Sequence, residues 1–457
     1  MTAKRFHLVA LGCPKARVEA ETTLAALLAR GARPVDDPAR ADVVVVHTCA
    51  FVEDARRESV DTLLELAAVR RRGRRPRLVA VGCLPQRYGA GLLELLPELD
   101  ALVGCNDLTR VADAALGPER LLLSPAPDRR ELQPQPSAAS QLRHVRYLKL
   151  AEGCSRRCAF CAIPAIRGPA RSRPAATLLE EARRLIDDGA VELVLVAQDV
   201  SRYGADRLGD RPGPPLLRLL ERLARLDGLR WLRLLYLYPE ALDADFLHGL
   251  RELPVVLPYF DLPLQHVTDR MLRRMRRGTR RRQLDALLDR IRERFPEPTL
   301  RTSLIVGHPG ESEADFSELR RFVREAGFDR IGLFRYSDEE GTAAYDDPDH
   351  VPAGVAWRRF RTLRAEARRA MRERQARLRG RVVRVLVDGP APESDLLRVG
   401  RTAAQAPEID GLTYLVGGLP PAGRFVAARV TRTSDSDLVA DLRQAAPDSL
   451  DSPPTPR

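Results

Sequence analysis

Cys154, Cys158 and Cys161 stand at CxxxCxxC spacing in the run Gly153-Cys154-Ser155-Arg156-Arg157-Cys158-Ala159-Phe160-Cys161, directly after an apolar stretch. A fold that contains this run has to bring three thiols together beside the end of a strand. Three thiolates suit an iron-sulfur cluster with one iron left open, because thiolate is the usual ligand of such clusters and the open corner of a 4Fe-4S cube can coordinate an exogenous molecule. The alternative is half of a zinc site, for which no His and no fourth Cys stands nearby to close a tetrahedron.

The chain before this run alternates strand and helix. Apolar runs at Phe6 to Leu11, Asp42 to His47, Arg77 to Val81 and Ala101 to Val103 are each followed by an amphipathic stretch, the pattern of a parallel α/β sheet. The first three runs lead into Cys13, Cys49 and Cys83. The carboxyl ends of the strands of an open parallel sheet share one edge, where ligand sites form, so these cysteines are expected to converge as a second three-thiolate site. A buried structural cysteine is the alternative for any one of them. Cys105, after the fourth run, is read as an unliganded core cysteine.

Pro125 to Ser140 carries Pro125, Pro127, Pro134 and Pro136, lacks apolar periodicity and reads as a linker. A new βα series follows, with strands expected at Tyr147 to Ala151, Val191 to Gln198, Trp231 to Tyr238, Tyr259 to Leu264, Leu300 to Val306 and Ile331 to Tyr336. Such a series implies a partial TIM-like (β/α)6 barrel with its catalytic residues at the carboxyl ends of the strands, where Cys154 already lies. A third module from Gly380 to about Arg443, with short strands such as Val382 to Val387 and Arg424 to Thr431, reads as a small β-barrel. The expected fold class is therefore α/β, divided as 1–124, a linker at 125–140, 141–379 with a basic connecting helix, 380–445, and a tail at 446–457 whose Pro, Ser and Asp content implies disorder.

A chain of 457 residues with 44% hydrophobic content can bury about three cores. No apolar run approaches a membrane span and no apolar leader opens the sequence, so the expected compartment is the cytoplasm. Seven cysteines are too sparse for a disulfide scaffold and suit metal binding in a reducing compartment. The net charge of +12 is almost all arginine, since lysine occurs only at positions 4, 15 and 149. Ten arginines against Glu366 and Glu373 between Arg358 and Arg379 place +8 on one expected helix, which suits RNA or a ribosome and equally a solvated face.

The CxxxCxxC run with an aromatic before its last cysteine resembles the radical S-adenosylmethionine superfamily. The combination of a three-cysteine α/β domain, this barrel and a TRAM-like β-barrel resembles the methylthiotransferases over Phe6 to about Arg443. The resemblance implies two 4Fe-4S clusters, an auxiliary one on Cys13, Cys49 and Cys83 and a radical one on Cys154, Cys158 and Cys161, with S-adenosylmethionine at the latter's open iron. It also implies that Phe160 sits by the adenine and that the segment Ile305 to Glu311, with Ile305 and Gly307, contacts S-adenosylmethionine. Barrel packing for Phe160 and a capped strand-to-helix turn for the glycines explain the same residues. Gln198 with Asp199, and Gln265 with His266, lie at expected strand ends facing the site, His266 serving equally well as a structural histidine. Sulfur insertion at an unactivated C–H bond needs hydrogen-atom abstraction, a sulfur source and a methyl donor, which is why such an enzyme would carry two clusters.

Within that family, Leu11-Gly12-Cys13-Pro14-Lys15, Ser337 to Tyr345 and Gln405 to Gly411 resemble the branch that modifies an aspartate of small-subunit ribosomal protein twelve (RimO type). The tRNA adenosine branch (MiaB type), the alternative, usually has Gln-Met-Asn after the first cysteine. Ala16 and Arg17 depart from the branch pattern without touching a ligand. From Arg381 to Arg443 eight arginines meet eight acids, and this zero net charge suits a basic protein partner better than tRNA phosphates. Glu408 and Asp410 are expected to face that partner. The implied partners are the ribosomal protein, free or in the ribosome, and an electron donor, with no membrane and no tRNA.

Overall fold

Val43–Thr48 reads Val-Val-Val-Val-His-Thr and is buried along its whole length. A strand with apolar side chains on both sides needs cover on both faces, the situation of a central strand in a parallel sheet. The computed structural model, which describes residues 3–69, 73, 75–125, 142–208 and 214–444, places it there. The sheet contains β1 (Arg5–Ala10), β2 (Arg33–Pro34), β3 (Val43–Thr48), β4 (Arg77–Gly82), β5 (Ala101–Gly104) and β6 (Leu121–Leu122), in the order β2-β1-β3-β4-β5-β6 and parallel throughout. Alternate side chains feed two cores. Val43, Val45, Val79, Val81 and Val103 pack with Leu27 and Val111 on one face. Val44, Val46, Leu78, Ala80 and Leu102 pack with Leu63, Ala67 and Leu84 on the other, joined by Ala162 and Ile166 from just beyond the CxxxCxxC run. That run is therefore anchored to the first sheet by its own apolar neighbours.

The second unit begins with β7 (Val145–Lys149), followed by β8 (Ala151–Glu152) and β9 (Arg171–Ser172), a short antiparallel pair that brackets the cysteine run. Then come β10 (Glu192–Val196), β11 (Trp231–Leu234), β12 (Tyr259–Gln265), β13 (Thr299–Val306) and β14 (Arg330–Arg335). Two three-stranded parallel sheets, β11-β10-β7 and β12-β13-β14, are linked by one bridge between Leu232 and Val256. With helices over the outside and one continuous core, this is the partial barrel expected from the βα series. The helix Ala353–Ala376 lies against it and buries Arg359, Leu363, Ala367 and Gln375. Its charge is partly taken up inside the molecule, by Arg359 with Glu311 at 3.0 Å and Arg374 with Asp329 at 2.7 Å.

The chain ends in a closed barrel, β15-β16-β17-β19-β18, from β15 (Val382–Ala391), β16 (Ser394–Arg401), β17 (Thr413–Val416), β18 (Phe425–Thr433) and β19 (Leu438–Asp441). The linker expected at 125–140, apart from Pro125, and the tail at 446–457 lie outside the described residues. Among the described residues no helix is long and apolar enough to cross a membrane.

A buried ionic network joins this barrel to the previous one. Glu192 on β10 holds Arg233 on β11 at 2.8 Å and Arg401 on β16 at 2.8 Å, and Arg401 also holds Asp388 at 2.7 Å. Removing one member of such a network leaves a buried charge uncompensated, which costs about 3–5 kcal/mol. Glu192→Ala should therefore lower the thermal unfolding temperature and speed amide exchange in β10, β11 and β16. Unchanged exchange there would show that the network does not hold the C-terminal barrel in place.

Candidate two-cluster active site

Cys13 follows β1 as the N-cap of the helix Pro14–Ala29, Cys49 follows β3, and Cys83 opens the helix Cys83–Tyr88 directly after β4. Because β1, β3 and β4 are neighbours in the sheet, their carboxyl ends lie side by side. The Cys49 loop is clamped by Ser59, whose Oγ accepts from Cys49 N at 3.0 Å and donates to Cys49 O at 3.0 Å.

The other three cysteines occupy the loop between β8 and β9. Gly153 has φ +71°, and a Cβ there would stand 2.3 Å from the Pro169 carbonyl oxygen and 2.6 Å from that of Gly168. Only glycine lets the chain turn this tightly into Cys154, whose amide donates to Gly168 O at 3.0 Å. The loop closes through Cys161 N to Cys158 O at 3.2 Å and rests on the barrel through Ala159 N to Met275 O at 3.1 Å.

All six cysteines line a single cavity of about 340 Å³. Aromatic side chains make much of the remaining wall, with Phe51, Phe160, Tyr236, Tyr238, Phe334 and Tyr336, and Lys15, Gln198, Gln265 and Ser303 add polar groups. Tyr236 and Gln265 hold φ +59° and +72°, a strained left-handed conformation for residues with side chains and one found most often at functional sites.

The donor chemistry fits iron-sulfur clusters. The six thiols are free of disulfides. Arg167 donates to Cys83 Sγ from Nη2 at 3.1 Å and Nε at 3.3 Å, and Arg277 donates to Cys158 Sγ at 3.4 Å, bonds that favour the thiolate each sulfur must become. Burial pushes the Cys83 and Cys161 thiols up to about 12 and raises Cys49 and Cys154, so metal binding has to displace their protons. No group of three or more His, Cys, Asp or Glu among the described residues is gathered around a single-ion position. A cube that carries its irons at separate corners takes its thiolates at a wider spacing than one ion does.

Phe160, Gln198, Gln265 and Ile305 line the cavity; Gly307 does not. A Cβ on Gly307 would stand 2.7 Å from Ala356 Cβ, at φ +80°, so helix packing and backbone conformation account for this glycine. Its amide donates to Glu311 at 2.7 Å, and the following helix starts in a capping box between Ser312 and Asp315. Asp199 is held by Arg156 at 2.7 Å. His266 is fully buried and does not line the cavity; its Nδ1 accepts from Val267 N at 2.8 Å and its Nε2 lies 3.5 Å from Glu311. Cys105 is buried with its Sγ 4.0 Å from Ile166 O. Among the site residues not singled out from the sequence are Lys15, Arg167, Tyr236, Tyr238 and Arg277. Only Lys15 carried a signal, as part of the Leu11 to Lys15 motif.

Comparison with known proteins matches residues 148–323 to the radical SAM superfamily, 5–104 to the uncharacterized protein family UPF0004 and 380–442 to the TRAM domain. The ribosomal protein uS12 methylthiotransferase RimO of Sorangium cellulosum is 43% identical over 446 residues, 97% of this chain and 91% of that protein. The chain belongs to the RimO family of methylthiotransferases. The RimO protein of Myxococcus xanthus is likewise 43% identical, over 100% of this chain and 96% of its own length. Among solved structures, the radical S-adenosylmethionine methyltransferase TsrM from Kitasatospora setae, with cobalamin and a 4Fe-4S cluster bound, superposes with TM-score 0.53 at 14% identity, covering 75% of this chain and 77% of that one, which is a likeness of fold.

The two other segments with a RimO-type sequence hold the domains around the cavity. Ser337 accepts from Glu53 N at 2.9 Å, and the buried Glu339 pairs with Arg56 and, at 2.5 Å, with Arg87, so the barrel grips the first domain at the cavity wall. In Gln405 to Gly411, Glu408 takes Arg17 Nε at 2.9 Å. Asp410 accepts from Tyr259 Oη at 2.6 Å and lies 3.7 Å from Arg301 and 3.8 Å from Arg330, with its side chain 2% exposed. The expectation that Asp410 faces an outside partner is therefore corrected, while Glu408 stays exposed beside Arg17. Asp410 is buried and both acids are engaged within the chain, a distinction that a count of charges does not make.

Proposed function

We propose that this RimO-family enzyme adds a methylthio group to the β-carbon of an aspartate in ribosomal protein uS12, in the cytoplasm, with two 4Fe-4S clusters and S-adenosylmethionine as cofactors. The observation that carries the reading is the opening of both thiol trios on one cavity, which lets radical generation and sulfur supply act on one carbon. The near full-length relatives named for uS12 and the neutral C-terminal barrel support the protein substrate over tRNA.

In this reading Cys154, Cys158 and Cys161 hold the radical cluster, Cys13, Cys49 and Cys83 the auxiliary one, and the domains divide as 1–124, 141–379 and 380–445. When bound, the cofactors supply a radical that removes hydrogen, a sulfur and a methyl group. The chain's own residues position and shield them. Arg277 and Arg167 hydrogen-bond one sulfur of each trio, Phe160, Tyr236, Tyr238 and Tyr336 keep water from the reacting centre, and Gln198 and Gln265 offer the polar contacts for S-adenosylmethionine.

The test is the intact mass of uS12 from cells with and without this gene. The protein should be lighter by about 46 mass units without it, one methylthio group replacing one hydrogen. Equal masses would overturn the reading.

A further inference from the structure

Lys15 sits in the first turn of the helix Pro14–Ala29, is 7% exposed and lines the cavity together with the six cysteines. Its Nζ lies 3.8 Å from the centre of the Tyr236 ring, and Tyr236 is the residue held at φ +59°. The acids nearest along this helix are already engaged. Glu19 pairs with Arg167 at 2.6 Å and with Lys149 at 3.5 Å, and Glu152 takes the same two cations at 2.8 and 2.9 Å. Among the described residues no carboxylate stands within ion-pair distance of Lys15.

A buried ammonium is costly unless an anion or an aromatic face compensates it, and a ring face compensates only in part. The position is also unfavourable by helix dipole, because the first turn favours negative charge. Burial and the helix dipole oppose the Lys15 ammonium, and the Tyr236 ring face offsets them in part. An anion that enters the cavity is attracted by the ammonium and by the helix N-terminus together.

We propose that Lys15 receives the side-chain carboxylate of the substrate aspartate and so decides for an acidic substrate. The assignment rests on the function proposed above. The carboxylate is bonded directly to the carbon that is modified, so holding it fixes that carbon in the cavity. A neutral side chain of the same shape lacks the charge and pairs poorly with a desolvated ammonium.

The test uses the holoenzyme with both clusters and two uS12 peptides that differ only in Asp or Asn at the modified position. Binding is read by isotherm, turnover by product mass. The wild-type enzyme should bind the Asp peptide on the order of tenfold to a hundredfold more tightly than the Asn peptide, as a charge-assisted bond implies. In Lys15→Gln that preference should collapse to within about threefold, and Lys15→Arg should recover part of it. A Lys15→Gln enzyme that keeps the full preference overturns the assignment. So does one that no longer cleaves S-adenosylmethionine without substrate, which places Lys15 at the cofactor, or one that loses the auxiliary cluster's spectroscopic signal. A wild-type enzyme that methylthiolates the Asp peptide while showing no preference refutes Lys15 alone. One that modifies neither peptide refutes the functional reading and this assignment with it.

Discussion

Cys158→Ala is expected to abolish 5′-deoxyadenosine formation altogether. Cys154, Cys158 and Cys161 share a loop that Gly153, Cys161 N and Ala159 N lock against β9 and the barrel, so no other thiol of this loop can take the vacated position. Two thiolates do not hold a 4Fe-4S cube stably. Cys13, Cys49 and Cys83 follow strands of a different sheet, and a cluster held by them should survive. Iron per chain after anaerobic reconstitution should therefore fall from about eight to about four. The loss of Cys158 also frees Arg277, which keeps its bond to Pro263 O at 2.7 Å, so the barrel itself should stay folded. Normal 5′-deoxyadenosine yield from this variant would remove the radical cluster from these residues.

Triple replacement of Cys13, Cys49 and Cys83 by Ala should produce the opposite separation. Cleavage of S-adenosylmethionine should continue while methylthio product disappears, because the thiols proposed to hold the auxiliary cluster all follow strands of the first sheet. Arg167 would then lose its sulfur partner but keep Glu19 and Glu152 at 2.6 and 2.8 Å, which limits damage to the interface. Repeated methylthiolation by the triple variant, over many turnovers, would reduce the first domain to a structural role.

Much of this arrangement was legible in the sequence because its signals are local. Apolar runs leading into Cys13, Cys49 and Cys83 marked the inner strands and placed three thiols on one edge, since parallel strands share their carboxyl ends. The strands β2 and β6, two residues each, carry too little pattern to be read. The run from Trp231 to Tyr238 was expected as one strand, but β11 stops at Leu234 and the left-handed Tyr236 turns its side chain to the cavity wall. Arg167 and Arg277 meet Cys83 and Cys158 across 84 and 119 residues of chain, and no spacing in the sequence announces such pairs. Glu408 and Asp410 show the same limit from the other side. Composition counts both as an acidic surface, and only the fold encloses Asp410 among Tyr259, Arg301 and Arg330 while leaving Glu408 exposed beside Arg17.

In the proposed function one cavity unites radical chemistry and sulfur supply on an aspartate of a ribosomal protein. The most direct test offers the reconstituted enzyme, with S-adenosylmethionine and a reductant, purified uS12 and purified tRNA together, and locates any added mass by tandem mass spectrometry. A gain of about 46 mass units on one aspartate side chain of uS12, with tRNA unmodified, is expected. The same gain on a tRNA adenosine, with uS12 unchanged, would contradict it.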